Sequence, residues 1–332
     1  PPIPAGNKRL TKAFAVWTLL SVPLMAAAHR FLERAMGVPS SLFILSILLA
    51  VTTALGQVLA SPLLGLKRFA HRGFVETVYG FSAPVLLLGL ITVLGRTHRA
   101  MIFALSGSLI ASASCALWSV RRYLKPSFEP DFVAAVGRYA ATATLTLLAT
   151  ACVLAPARLF LNRHAGAREV GLFSAYFTST VQVALALLYM LQAVLIPMAG
   201  GEGQRENWML FRRWAAPATS AAWALFAAAA VAGLAVFGRR YPLDLVWATA
   251  FAAAAALILV HGTASALYAA RDFSGLRVSV IGALIAGLGN LTLAARLVPK
   301  FGVLGAALAL VVSFSAGLAF YGLFGIWERN RS

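Results

Sequence analysis

Few residues in this chain could do chemistry, and those few lie inside long apolar runs. Two charges fall within such runs, Glu76 and Arg138. A charge in hydrocarbon costs several kcal/mol unless it meets a partner, a headgroup or a wet cavity. Glu76 stands four residues after Arg72, so an ion pair at the membrane surface competes with a role in ion coupling. Arg138 lies about two turns into its run. It could extend to the headgroups, or face a cavity and hold a phosphate as a delocalised cation.

Neutral polar residues form two stripes. Thr142, Thr146 and Thr150 follow Arg138 at every fourth position. Ser174, Thr178, Gln182, Tyr189 and Gln192 fall within an arc of about 80° at ~100° per residue. Such a face lines a hydrated path for a polar or amphipathic cargo, or it hydrogen-bonds neighbouring helices. His261, alone in its run, reads as a packing histidine. Cys115 and Cys152 read as small packing residues, not as a disulfide. The sequence has no metal-ligand spacing, nucleotide loop or nucleophile constellation, and it implies no cofactor. The Gly287–Gly289 spacing lacks the strand–turn–helix context of a dinucleotide site.

The elements that must carry these residues are membrane spans. Hydrophobic residues make up 61% of the 332 and charged residues 11%, far from the roughly 25% charged of soluble domains. The chain is therefore read as an all-α polytopic membrane protein with about ten spans, each long enough for a core about 30 Å thick. Spans are expected at Lys12–Ala28, Ser41–Leu63, Phe74–Gly95, Ala100–Val120, Phe132–Ala155 and Gly171–Pro197. Four more begin near Trp214, Leu245, Val278 and Gly302. Pro156–Val170 is polar with apolar spacing and is expected to contain an interfacial turn. Met198–Arg213, the longest gap, leaves no room for a soluble catalytic domain.

A repeat organises the spans. The starts near Lys12, Ser41, Phe74 and Ala100 recur near Trp214, Leu245, Val278 and Gly302, displaced by 202 to 204 residues. Lys67-Arg68-Phe69-Ala70 falls on Arg271-Asp272-Phe273-Ser274, and Arg96 on Lys300. This is the pattern of a parallel tandem repeat. The fifth and sixth spans then have no counterpart, so the expectation is a twelve-helix bundle of two six-helix halves whose first two helices precede Pro1. The halves are residues 1–131 and 132–332, joined by the linker that holds Glu129 and Asp131.

The net charge of +18 is spread over short loops, which argues for headgroup contact and topology and against nucleic-acid binding. Loops on the side of the termini carry sixteen Lys and Arg residues and the opposite loops eleven. That bias places both ends in the cytoplasm.

The stretch Arg158–Tyr176, RLFLNRHAGAREVGLFSAY, precedes a long span ending in Ile196-Pro197. With KFGVLGAAL at Lys300–Leu308 and LLGLKRF at Leu63–Phe69, it resembles the bacterial polysaccharide and O-antigen flippases. These belong to the multidrug/oligosaccharidyl-lipid/polysaccharide exporter superfamily. Where an acidic residue often precedes the arginine of that motif, this chain has Ala157. The resemblance implies a flippase, not an enzyme, that moves an isoprenoid-diphosphate-linked oligosaccharide by alternating access. It also implies membrane lipids and other glycan-assembly proteins as partners. The alternative within the superfamily is a cation-coupled multidrug antiporter. A membrane glycosyltransferase or ligase would need acidic catalytic residues, for which only Glu129, Asp131 and Asp244 stand near span ends. The ten-span drug/metabolite exporters repeat after five spans in inverted orientation, unlike this chain.

Overall fold

The computed structural model describes residues 23, 27, 40–66, 68–121, 142, 144–199, 204–238 and 241–329. All regular structure among them is helical, and eight helices are long and apolar enough to cross a membrane. The span expected at Lys12–Ala28, the linker with Glu129 and Asp131, and Arg138 lie outside the described residues, apart from Pro23 and Ala27. The chain divides into two compact units, Pro1–Ala135 and Val136–Ser332.

The first unit contains α1 (Ser40–Gly65), α2 (Phe69–Leu94) and α3 (His98–Val120). Its packing follows from one row of residues. Ala100, Ala104, Ser108, Ser112, Ala116 and Val120 recur every fourth position of α3, and all are buried. Small side chains let α1 and α2 lie close on either side, which is how helices associate where lipid removes the hydrophobic drive. Ser112 also donates to the Val75 carbonyl of α2 at 3.0 Å. The α2–α3 turn uses Gly95 at φ +72°, a left-handed position that glycine adopts without strain. Thr97 then caps α3 through Ala100 N.

The second unit begins with α4 (residues 144–154) and α5 (Pro156–His164), followed by α6 (Ala167–Phe177). A π turn, Thr178–Gln182, joins α6 to α7 (Val183–Ala199). The remaining elements are α8 (Gln204–Phe237), α9 (Leu245–Ala269) and α10 (Phe273–Arg329). The turn expected within Pro156–Val170 is Ala165–Gly166, between two helices, and helix α8 takes over most of the gap before Arg213. Both segments carry apolar residues at helical spacing, so the polar residues among them mark exposed faces of helices.

The alanine-rich α9 is central. Ala248, Ala252, Ala255 and Ala256 are buried with Phe251, and α7, α8 and α10 all pack against it. Helix α10 is a hairpin of two arms that reverse at Gly302 (φ +54°). Its register is read from close approaches of Gly305 to Leu297, Gly289 to Ser313 and Gly282 to Tyr321. The spans expected from Val278 and from Gly302 are these two arms.

At the end of the unit where α9 passes into α10, Arg271 Nη1 donates to both carboxylate oxygens of Glu328, at 2.8 and 2.9 Å. Its guanidinium also lies 4.7 Å from the Tyr268 ring and 5.8 Å from Trp208. Arg271→Gln is expected to lower thermal stability by about 1 kcal/mol, since the pair is partly exposed and the ring contacts are modest. An unfolding temperature unchanged from the native protein would overturn this. Next to it, Asp272 accepts from Ser274 Oγ and Gly275 N, each at 2.7 Å. These bonds hold its carboxyl below the usual carboxylate range. Their contribution is present at neutral pH and is lost only as acid protonates Asp272.

Candidate substrate path

Two irregularities in neighbouring helices of the second unit shape the site. The first is the break between α4 and α5. Pro156 has no N–H, so the Cys152 carbonyl four residues earlier loses its helical donor. Asn290 of α10 replaces it, with Nδ2 donating to Cys152 O at 3.0 Å and Val153 O at 3.2 Å. Arg158 serves the next carbonyl, Leu154 O, at 2.9 Å. Inside a bilayer such groups have no water to turn to, so side chains must satisfy them. Gly287, one turn before Asn290, lets α10 lie on the α4 backbone, where an added Cβ would stand 2.9 Å from Ala149 Cα.

The second irregularity is the π turn at Thr178–Gln182. Thr180 donates back to Tyr176 O at 2.7 Å, and Ser179 packs where Gly233 of α8 leaves space. Tyr176 holds the far end of the unit: its hydroxyl donates to Pro242 O at 2.8 Å and accepts from Asp244 N at 2.6 Å. Asp244 in turn caps α9 at Val246 N and Trp247 N. This acid therefore builds a helix start. π turns recur at functional sites because they re-aim the side chains that follow.

The π turn interrupts the regular spacing from which the 80° arc is drawn. One residue inserted into the α-helical ladder rotates everything after it by roughly 100°. Thr178, Gln182 and Tyr189 stay exposed, Tyr189 at 63%, and Ser174 is half-buried on the same side. Gln192 is half-buried and donates to Gly262 O of α9 across a long 3.5 Å. The exposed face also carries Val183, Ala186 and Met190, so it is amphipathic and has no charged side chain between Gly171 and Gln192.

Of the other expected site residues, Thr142 and Thr146 are half-buried, and Thr150 donates to Thr146 O at 2.9 Å. Arg138, which begins that stripe, is outside the described residues. Glu76 lies in the first unit, ion-paired to Arg72 at i+4 with its side chain half-exposed. His261 is 5% exposed against Phe314 and Tyr321, with Nε2 3.3 Å from Gly282 O. The cysteines are free.

Sequence reasoning did not single out Asn290 or assign Arg158 to the interior. Arg158 is placed over Phe177 at 4.9 Å and Phe173 at 5.5 Å, joining α5 to α6. The signal for Asn290 was Pro156: a proline inside a membrane span leaves a carbonyl that some donor must meet.

The site thus rests on two long apolar helices, one broken at Pro156 and the other re-phased by a π turn. No family model matches the chain, and no curated protein does. Among solved structures, the crystal structure of a MATE point mutant superposes on 97% of this chain and 77% of its own at a TM-score of 0.73. The chain has the MATE fold. Identity over that match is 14%, so the likeness establishes architecture. The break and the π turn thus belong to a multi-pass helical membrane protein.

Proposed function

We propose that the chain is an alternating-access transporter of the multidrug/oligosaccharidyl-lipid/polysaccharide exporter superfamily, and that its cargo is an amphipathic organic cation exchanged against an ion. The observation that carries this reading is the uncharged face of Thr178, Gln182 and Tyr189 beside the π turn. An exposed tyrosine ring attracts a cation, and amide and hydroxyl groups orient it without a buried counter-charge. The shared MATE fold supports the same choice. The sequence resemblance favoured a lipid-linked oligosaccharide flippase, whose diphosphate needs cations. Arg158, the arginine of the resembling motif, is committed to Leu154 O and two phenylalanine rings, which leaves that reading resting on Arg138.

The test is ion-gradient-driven efflux of a fluorescent organic cation from proteoliposomes. Gln182→Leu combined with Tyr189→Ala is expected to reduce efflux about tenfold or more, equivalent to ~1.4 kcal/mol, because a partly desolvated cation–π contact is lost with an amide. Glu76→Gln should leave efflux nearly intact if its carboxylate serves only the Arg72 pair. Gradient-independent lipid-oligosaccharide translocation without cation efflux would select the flippase instead.

A further inference from the structure

The second unit gathers cations that its topology does not explain. The α5–α6 turn carries Arg163, His164 and Arg168, and the reversal of α10 carries Arg296 and Lys300; all five side chains are exposed. These turns are more than a hundred residues apart in sequence but meet in the fold. Ala157 and Leu161 of α5 share a buried cluster with Val298 and Val303 of α10. A methyl group placed on Gly302 would stand 3.9 Å from the Glu169 carboxylate. Glu169 is the one acid in these two turns.

The charge bias of the loops sharpens the point. By the loop charge counts both turns fall on the side opposite the termini, where Lys and Arg are less frequent. Four of the eleven basic residues counted on that side belong to these two turns. Phe301 stands beside Lys300 at the apex of the reversal and is 54% exposed. An exposed aromatic ring among cations at the ends of membrane helices is the arrangement that meets headgroups and the first acyl carbons together.

We propose that Arg163, His164, Arg168, Arg296 and Lys300, with Phe301 inserted beside them, form a docking surface for anionic phospholipid headgroups. A phospholipid suits it better than a soluble anion because the cations are spread over an exposed surface with an apolar apex. A free phosphate would need a concave set of buried donors.

The experiment compares the full chain in nanodiscs of phosphatidylcholine alone and of phosphatidylcholine with phosphatidylglycerol. The unfolding temperature of the native protein should rise by several degrees with phosphatidylglycerol, and raised salt should erase the rise. Arg163→Gln with Arg168→Gln and Lys300→Gln should lose most of it, while Phe301→Ser should lose part. If the triple variant fails to fold, the native protein's salt response and the Phe301→Ser protein still decide the matter. The proposal is overturned if phosphatidylglycerol gives no rise, if the triple variant keeps the full rise, or if soluble diphosphate reproduces the rise in phosphatidylcholine alone.

Discussion

Gly282→Ala should destabilise the protein by about 3 kcal/mol, the upper range for overpacking. Elsewhere in a helix the same change is favourable by up to ~1 kcal/mol, because alanine restricts the unfolded chain. Space decides the sign here. A Cβ on Gly282 would lie within the Tyr321 ring of the opposite arm of α10. That ring cannot yield, since Tyr321 is 1% exposed, donates to Ser279 O at 3.0 Å and stacks on Tyr268 at 5.4 Å. The ring also touches His261, so strain would spread into α9. Thermal unfolding in detergent measures the effect. Tyr321→Ala is itself costly, but combined with Gly282→Ala it should cost less than the sum of the single changes. An alanine variant as stable as the native protein would show that the two arms pack differently.

Asn290→Leu is the second large effect, expected at about 2–4 kcal/mol. Leucine keeps the volume but removes the amide that donates to Cys152 O and Val153 O, and each buried unmet carbonyl costs roughly 1–3 kcal/mol. The cause can be isolated. Pro156→Ala supplies an N–H to Cys152 O, so it should make the loss of Asn290 less damaging. A double-mutant cycle with Pro156→Ala reads this as a coupling of about 1 kcal/mol or more. Strict additivity would mean that Asn290 acts through packing alone.

Much of the architecture was legible in the sequence because hydropathy answers directly to the bilayer. The start of α9 at Leu245, the end of α3 at Val120 and the reversal at Gly302 lie where apolar runs, basic turns and glycine placed them. Arg72 followed by Glu76 announced an ion pair. These are signals of composition or of neighbours four residues apart, and a linear reading can see both. The candidate site was only partly visible. Thr178, Gln182 and Tyr189 are exposed while Gln192 is half-buried and bonded to Gly262 O, and the π turn, which shifts the phase of every residue after it, has no composition of its own. The partner of Cys152 O is 138 residues away, and whether Arg158 meets solvent or two phenylalanine rings depends on how α5 lies against α6. Sequence determined which segments enter the membrane and which residues could be polar there. Tertiary packing decided which of them remain free to meet a cargo, because a side chain in hydrocarbon bonds to whatever backbone the neighbouring helix leaves unmet.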